Sequence, residues 1–183
     1  MNHTKLAKIK ADAQVIIDQK EINIALDKLA KQIENDYQKK MPIFIVVLNG
    51  GLIFAGQLLP RIDILCEIDY CHATRYQGEQ RGAELVWKSK PQTELSGRDV
   101  ILVDDILDEG ITLKLIEQYC LEQKAKSVKT LVLVEKEHHR KAYPEQRPDY
   151  CELVVPDQYV FGFGMDYSHY WRNTLDIRVH QDD

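Results

Sequence analysis

Hydrophobic positions recur along the chain with helical spacing in one segment and in uninterrupted runs in several others. In residues 18–37 the apolar side chains are three or four positions apart, namely Ile22, Leu26, Leu29, Ile33 and Tyr37. This spacing places them on one face of an α-helix. Asp18 and Glu21 have the spacing of a capping box, so we predict that an amphipathic helix begins beside them.

Uninterrupted aliphatic runs predict strands that are buried on both faces. The clearest is residues 43–48, IFIVVL, which stops at an Asn-Gly-Gly turn and is followed by a helix that ends near Pro60. Further predicted elements are strands at 64–71, 99–104 and 128–135 and a helix at 112–123. Because strands and helices alternate, we predict an α/β fold in which a twisted, mostly parallel sheet is flanked by helices on both faces.

The remaining segments are polar, or rich in glycine and aromatic residues. Residues 74–84, TRYQGEQRGAE, contain two glycines and no periodicity, which predicts a mobile loop, flanked by a strand in ELVWK. Residues 150–180 mix short strands with glycine and aromatic turns, and we predict that they form a small cap, or hood, on the sheet with the N-terminal helix. Because no repeat or linker interrupts the pattern, we predict a single domain over residues 1–183.

Composition restricts the function classes. The chain has 183 residues, 44% of them hydrophobic, and a net charge of -5. An acidic protein has no general attraction to nucleic acid or to anionic membranes, so neither is an expected partner. We find no cationic leader before an apolar run and no apolar stretch long enough to span a bilayer, which predicts a cytoplasmic protein. The four cysteines form no C-x-x-C pair and are expected to be buried thiols in a reducing compartment.

Residues 100–110, VILVDDILDEG, combine a predicted strand with four carboxylates, those of Asp104, Asp105, Asp108 and Glu109. Ligands of open parallel sheets bind outside the carboxyl ends of the strands. After the strand, Gly110 allows a positive φ, and the backbone N–H groups of a turn leading into the next helix suit a phosphate. Adjacent aspartates can accept hydrogen bonds from a vicinal diol, directly or through Mg²⁺.

A sugar phosphate with free hydroxyls would satisfy both parts of this motif, with ribose O2 and O3 on the acidic pair and the 5-phosphate on the turn. An isolated Asp-Asp pair more often lies in a solvated loop without a ligand. Here the strand before the pair and the glycine and threonine after it favour a binding site for such a sugar phosphate. A D-D-x-x-D motif also holds Mg²⁺ and diphosphate in prenyl-transferring enzymes. Those motifs lie on helices of all-helical folds, so the preceding strand argues against that class.

The segment VILVDDILDEGITL resembles the phosphoribosyl pyrophosphate (PRPP) signature of type I phosphoribosyltransferases. Together with VVLNGG, LVLVEKE and PDQYVFGFGMDYSHYWR, in this order, it makes residues 40–180 similar to the hypoxanthine-guanine phosphoribosyltransferases. The resemblance implies Mg²⁺-dependent purine salvage, in which PRPP and a 6-oxopurine are the substrates, by a homo-oligomer, either a dimer or a tetramer. A non-catalytic PRPP or nucleotide sensor on the same fold, such as an RNA-binding regulator, is the alternative, which the acidic charge balance disfavours.

The resemblance also implies residue roles for PRPP. Asp104 and Asp105 would bind the ribose, and Asp108 would be the general base near purine N7. The turn for the 5-phosphate would comprise Glu109, Gly110, Ile111 and Thr112. Pyrophosphate would be bound by Asn49, Gly50 and Arg172, and Mg²⁺ by Asp104, Asp105 and Asp166.

For the purine, the resemblance implies that Lys136 donates to the exocyclic oxygen and that Tyr159 stacks on the ring. Val160 would offer main-chain contacts, and Asp166 would lie near the same site. The loop of residues 74–84 would be a lid that excludes water. Its first residues are Thr74, Arg75 and Tyr76.

The chain departs from the family pattern in three places. Asn49 stands where many members have lysine, so one charged contact to pyrophosphate is missing. Thr74-Arg75-Tyr76 stands where a Ser-Tyr pair is usual, and no catalytic role is assigned to Thr74. Glu109 replaces a small hydroxyl residue, and its side chain must point away from the turn or weaken binding of the 5-phosphate.

Overall fold

The computed structural model describes residues 2–75, 85–143 and 145–180. Its helices, labelled α1 to α4 in chain order, are His3–Asp12, Gln19–Tyr37, Gly51–Leu58 and Ile111–Glu122. Its strands, labelled β1 to β9, are Gln14–Ile17, Ile43–Leu48, Glu67–Arg75, Leu85–Ser89, Asp99–Leu107, Ser127–Lys136, Leu153–Val155, Val160–Phe161 and Ile177–Val179. Among the described residues, no helix is long and apolar enough to cross a membrane.

The main sheet has the strand order β4-β3-β2-β5-β6-β7, and all neighbours are parallel except the edge strand β4. Its central strands are buried on both faces, which explains their unalternating sequences. Phe44 and Ile101 pack in one core with residues of α2 and α3, whereas Ile45 and Leu102 pack in a second core with α4. The predicted α/β fold, with helices on both faces, is confirmed.

Helix α2 begins where the capping box predicts. The Asp18 carboxylate accepts a hydrogen bond from the Glu21 N–H at 2.8 Å, and the Glu21 carboxylate accepts one from the Asp18 N–H at 2.9 Å. The five apolar residues that define its predicted face are all buried. Local sequence and tertiary packing therefore favour the same helix.

A second sheet, of order β1-β9-β8, forms the hood with α1. The sequence assigned an N-terminal helix to the hood but gave no bounds for α1, and it did not predict β1, which gains its antiparallel partner β9 from the far end of the chain. The Trp171 indole N–H donates to the Leu6 carbonyl at 3.0 Å. This hydrogen bond connects α1 to the C-terminal segment. The predicted cap is confirmed as part of this hood.

Two predicted strands have different bounds in the structure. Strand β5 runs to Leu107 rather than ending at residue 104, because Ile106 and Leu107 still pair with β6. The acidic pair therefore lies inside the strand and not after it. Strand β3 begins and ends later than predicted and includes Thr74 and Arg75, which we had assigned to the loop.

The rest of the predicted lid, residues 76–84 with Tyr76, lies outside the described residues. The prediction of buried thiols is confirmed for Cys71 and Cys120, whereas Cys151 is half-buried. It is wrong for Cys66, which is exposed in the segment before β3.

Candidate active site

An open cavity of about 510 Å³ lies at the carboxyl ends of β2, β5 and β6, beneath the hood. Every site residue that we predicted from the sequence outside the lid lines this cavity. Of the three residues assigned to the lid, Thr74 is exposed beside the lining residue Ala73. The topology thus collects residues from several segments that are distant in the sequence, as expected at the carboxyl edge of a parallel sheet.

The acidic pair lies at the floor of the cavity. Asp105 is only 7% exposed, and the Asp104 carboxylate accepts a hydrogen bond from the Asp105 N–H at 2.9 Å. Burial and the neighbouring Asp105 charge raise the pKa of Asp104 well above its usual value. Burial also raises the pKa of Asp105, although the Arg172 guanidinium, 3.8 Å away, opposes this shift. The pair therefore favours a cationic or hydrogen-bond-donating ligand.

Two glycines allow the loop after β2 and the hood to approach this pair. A Cβ on Gly50 would lie 2.5 Å from a carboxylate oxygen of Asp105, and a Cβ on Gly164 would collide with the Gly50 carbonyl. Arg172 donates to the Gly164 carbonyl and to the Asp166 carboxylate, each at 2.5 Å. Arg172 therefore already has partners on the hood, where the sequence predicted a contact to pyrophosphate.

The turn between β5 and α4 has the geometry of an anion site. Gly110 has a φ of +81°, and the first N–H groups of α4, including that of Thr112, have no helical acceptors. The carbonyl groups of the turn accept hydrogen bonds from Ala142 and Gln146. The Gln146 amide donates to the Gly110 carbonyl at 3.2 Å, and the Ala142 N–H donates to the Glu109 carbonyl at 3.0 Å. The Gly110 carbonyl also accepts a hydrogen bond from the Lys114 N–H at 3.0 Å, so both carbonyl groups of the turn have donors.

Glu109 lines the cavity, and its carboxylate lies 3.8 Å from a guanidinium nitrogen of Arg140. This ion pair offsets part of the charge that Glu109 brings to the turn. The effect of Glu109 on phosphate binding stays a prediction.

Gly110→Ala is expected to lower the free energy of unfolding by the roughly 1–2 kcal/mol that a left-handed backbone costs an L-residue, and further by the loss of one hydrogen bond. The new Cβ would displace the end of the Gln146 side chain, which donates to the Gly110 carbonyl at 3.2 Å. Gly97→Ala is the matched control, because Gly97 has a φ of +72° and no atom of the described residues lies within 4 Å of its Cβ position. Urea unfolding measures both variants, and an equal loss in the two would contradict the tight contact at Gly110.

Asp108 holds two donors from the segment that begins at the end of β6. Lys136 Nζ donates to one carboxylate oxygen at 2.8 Å, and His138 Nε2 lies 2.7 Å from the other. Burial alone would raise the pKa of Asp108, but Lys136 and His138 together bring it below its usual value. Asp108 is therefore an ionised acceptor at neutral pH.

His138 was not predicted from the sequence as a site residue. Its side chain is only 2% exposed, although it follows the last strand residue by just two positions. The available signal was this i, i+2 spacing from Lys136, since alternate residues of an extended chain point to the same side.

Tyr159 lies at the rim of the cavity, where 52% of the residue is exposed. Its hydroxyl donates to the Asp166 carbonyl at 3.2 Å, and its ring packs edge-on against Tyr167 with centroids 5.3 Å apart. Val160, in β8, is buried beside it. The Tyr159 ring is thus fixed at its tip while enough of it stays open for a flat ligand.

The predicted metal ligands do not form one set. In the part of the chain that the structure describes, no group of three or more His, Cys, Asp or Glu side chains could hold a metal ion. Asp104 and Asp105 are adjacent, but Asp166 is bound by Arg172. A metal ion here would need oxygen atoms from a substrate as well.

Comparisons with known proteins agree with this architecture. Residues 13–169 match the family of the phosphoribosyl transferase domain. A hypoxanthine-guanine phosphoribosyltransferase of Bacillus subtilis is 33% identical, over 91% of this chain and 92% of that protein. A hypoxanthine-guanine-xanthine phosphoribosyltransferase of Tritrichomonas foetus is 32% identical, over 91% and 90%.

Among solved structures, a hypoxanthine phosphoribosyltransferase of Staphylococcus aureus superposes with a TM-score of 0.87 at 28% identity, covering 99% of this chain and 96% of that one. Fold, family match and relatives agree over most of the chain. The chain therefore belongs to the phosphoribosyltransferase family.

Proposed function

We propose that the protein transfers the 5-phosphoribosyl group of PRPP to hypoxanthine, guanine or both, and so acts as a purine salvage enzyme. The main support for this function is that one cavity contains a buried carboxylate pair, a left-handed glycine turn at a helix N-terminus and the Lys136–Asp108 pair. In the reaction, the bond from ribose C1 to the pyrophosphate oxygen breaks and the bond from C1 to purine N9 forms. The products are IMP or GMP and pyrophosphate.

At the purine end, Lys136 would donate to the exocyclic oxygen, and Asp108 would accept the N7 proton or its hydrogen bond as N9 attacks. Lys136 has three donors, so it can contact the substrate and keep its bond to Asp108. The open face of Tyr159 would stack on the ring, and the main chain of Val160 would contact its edge. Together these groups would select a flat base with an oxygen at position 6.

At the PRPP end, the proposed roles follow the charges of the cavity. The carboxylates of Asp104 and Asp105 would accept hydrogen bonds from ribose O2 and O3 and stabilise positive charge at C1. The N–H groups of residues 109–112 would bind the 5-phosphate. Arg172 would contact the leaving pyrophosphate, next to the backbone of Asn49 and Gly50.

The oxygen donors of the acidic pair also fit the predicted Mg²⁺, which is commonly held by one or two carboxylates together with substrate phosphates. Burial disfavours two adjacent charges unless a cation offsets them, and the raised pKa of Asp104 supports such a requirement. We assign the ion to Asp104 and Asp105 and leave Asp166 in its pair with Arg172. When bound, Mg²⁺ would supply charge neutralisation for the diphosphate of PRPP.

A spectrophotometric assay of hypoxanthine, guanine and xanthine with PRPP and Mg²⁺ tests the proposed function. We expect nucleotide formation with hypoxanthine or guanine that depends on both PRPP and Mg²⁺. Saturable PRPP binding without conversion of any of the three bases would instead support the non-catalytic sensor. None of the relatives described above is named as such a regulator.

We also propose that the protein forms a homo-oligomer, through the apolar surface between α3 and β3. Leu52, Ile68 and Tyr70 are 56%, 61% and 48% exposed and line one apolar depression there. Ile68→Lys should shift the molar mass measured by light scattering towards that of a monomer, because a charge would be buried at the interface. Leu121→Lys, on α4, changes an exposed leucine on the opposite face and is the control. An unchanged mass for Ile68→Lys would exclude this surface.

A further inference from the structure

His138 is a buried histidine that none of the roles above uses. It follows β6 by two residues, its side chain is 2% exposed, and its Nε2 lies 2.7 Å from Asp108 Oδ1. A histidine so thoroughly removed from water needs partners for both ring nitrogens. Both ring nitrogens have partners: Nε2 has a carboxylate oxygen and Nδ1 has a backbone N–H group.

The second partner determines which nitrogen carries the proton. The backbone N–H of Arg140 donates to His138 Nδ1 at 2.9 Å. A backbone N–H can only donate, so Nδ1 is the acceptor and the hydrogen-bond network assigns the proton of the neutral ring to Nε2. His138 Nε2 therefore donates to Asp108, and the local backbone fixes this direction.

Asp108 is consequently held by one donor on each oxygen. Lys136 binds Oδ2 at 2.8 Å, and His138 binds Oδ1. A carboxylate oxygen has two lone-pair sites, so each oxygen keeps one site for a substrate. Of the two donors, Lys136 is the one that the proposed reaction also directs to the purine. The proposed reaction assigns no substrate contact to His138, so its Nε2–H group would stay on the Asp108 carboxylate throughout the reaction.

We propose that His138 is a positioning residue for the phosphoribosyl transfer, acting through Asp108. This inference rests on the proposed function, in which Asp108 accepts the purine N7 hydrogen. The Nε2–H group would keep the Asp108 carboxylate in one orientation, with its unused lone pairs facing the purine. The side chain would not itself touch the substrate, and its effect should appear in turnover rather than in binding of PRPP.

Two substitutions separate the hydrogen bonds of His138. In His138→Gln the side-chain amide nitrogen can take the position of Nε2, so the donor to Asp108 is kept and the bond from Arg140 is lost. In His138→Asn the amide oxygen can take the position of Nδ1, so the bond from Arg140 is kept and the donor to Asp108 is lost. His139→Asn makes the same change at the exposed neighbouring histidine and is the control.

We expect His138→Asn to lower kcat by roughly 10- to 100-fold, a part of the 10²- to 10⁴-fold effect typical of a general base, with the KM for PRPP unchanged. His138→Gln should recover most of that loss, and His139→Asn should match the wild type. Thermal unfolding midpoints are measured for all variants. Equal kcat values for the Asn and Gln variants, or losses that follow the unfolding midpoint, would overturn the positioning role.

The wild-type protein is assayed first with hypoxanthine, guanine and PRPP. If it forms no nucleotide, the proposed function itself fails. If it is active while His138→Asn keeps the wild-type kcat, only the role of His138 fails.

Discussion

Asp108→Asn is expected to fold normally and to lose roughly 10²- to 10⁴-fold in kcat, the range typical of a general base. The amide keeps the shape of the side chain but loses the charge that Lys136 and His138 bind in the native protein. It also places an N–H donor where the N7 hydrogen of the purine would be accepted. Steady-state kinetics at saturating PRPP and purine measures the loss.

The lowered pKa of Asp108 defines how it would act. Because Lys136 and His138 stabilise its charged form, Asp108 would hold the N7 proton by a charged hydrogen bond more readily than it would remove it. Asp149→Asn, the same change in an exposed carboxylate that binds Lys129 at 2.8 Å, is the control and should retain turnover. Near wild-type turnover of Asp108→Asn would remove Asp108 from the base role.

Adenine is expected to be converted with a kcat/KM about 10⁴-fold below that for hypoxanthine, a ratio typical of sites that hydrogen-bond one substrate group and reject its analogue. The side chain of Lys136 is only 10% exposed, and an ammonium group donates but cannot accept. A 6-amino group would place N–H against N–H, whereas a 6-oxo group accepts. Competition kinetics with the two bases measures the ratio.

Lys136→Gln provides the matched test of this discrimination. The amide of Gln both donates and accepts, so the variant should lose efficiency with hypoxanthine and discriminate less against adenine. Efficient conversion of adenine by the native protein would show that the base pocket is assigned to the wrong side chain.

The site shows which predictions a single sequence supports. The acidic run and the glycine turn were identified because each follows directly from a strand that the sequence itself predicts, whereas the role of Lys136 came from family resemblance. Arg172 and Asp166 were also identified from family resemblance, but the resemblance did not indicate that they form an ion pair with each other. His138 and Gln146 were missed because their partners, Asp108 and Gly110, lie more than 25 positions away in the chain.

The sequence by itself determined the parallel α/β core, the start of α2 and the left-handed turn at Gly110. These features depend on hydrophobic periodicity, capping and backbone sterics, which act between near neighbours. Only the tertiary structure decided that β5 continues through the acidic pair, that β1 joins β9 in the hood, and that two donors hold Asp108. Those features depend on strand pairing and on the burial of charged groups between distant segments, which become specific only when the chain is folded.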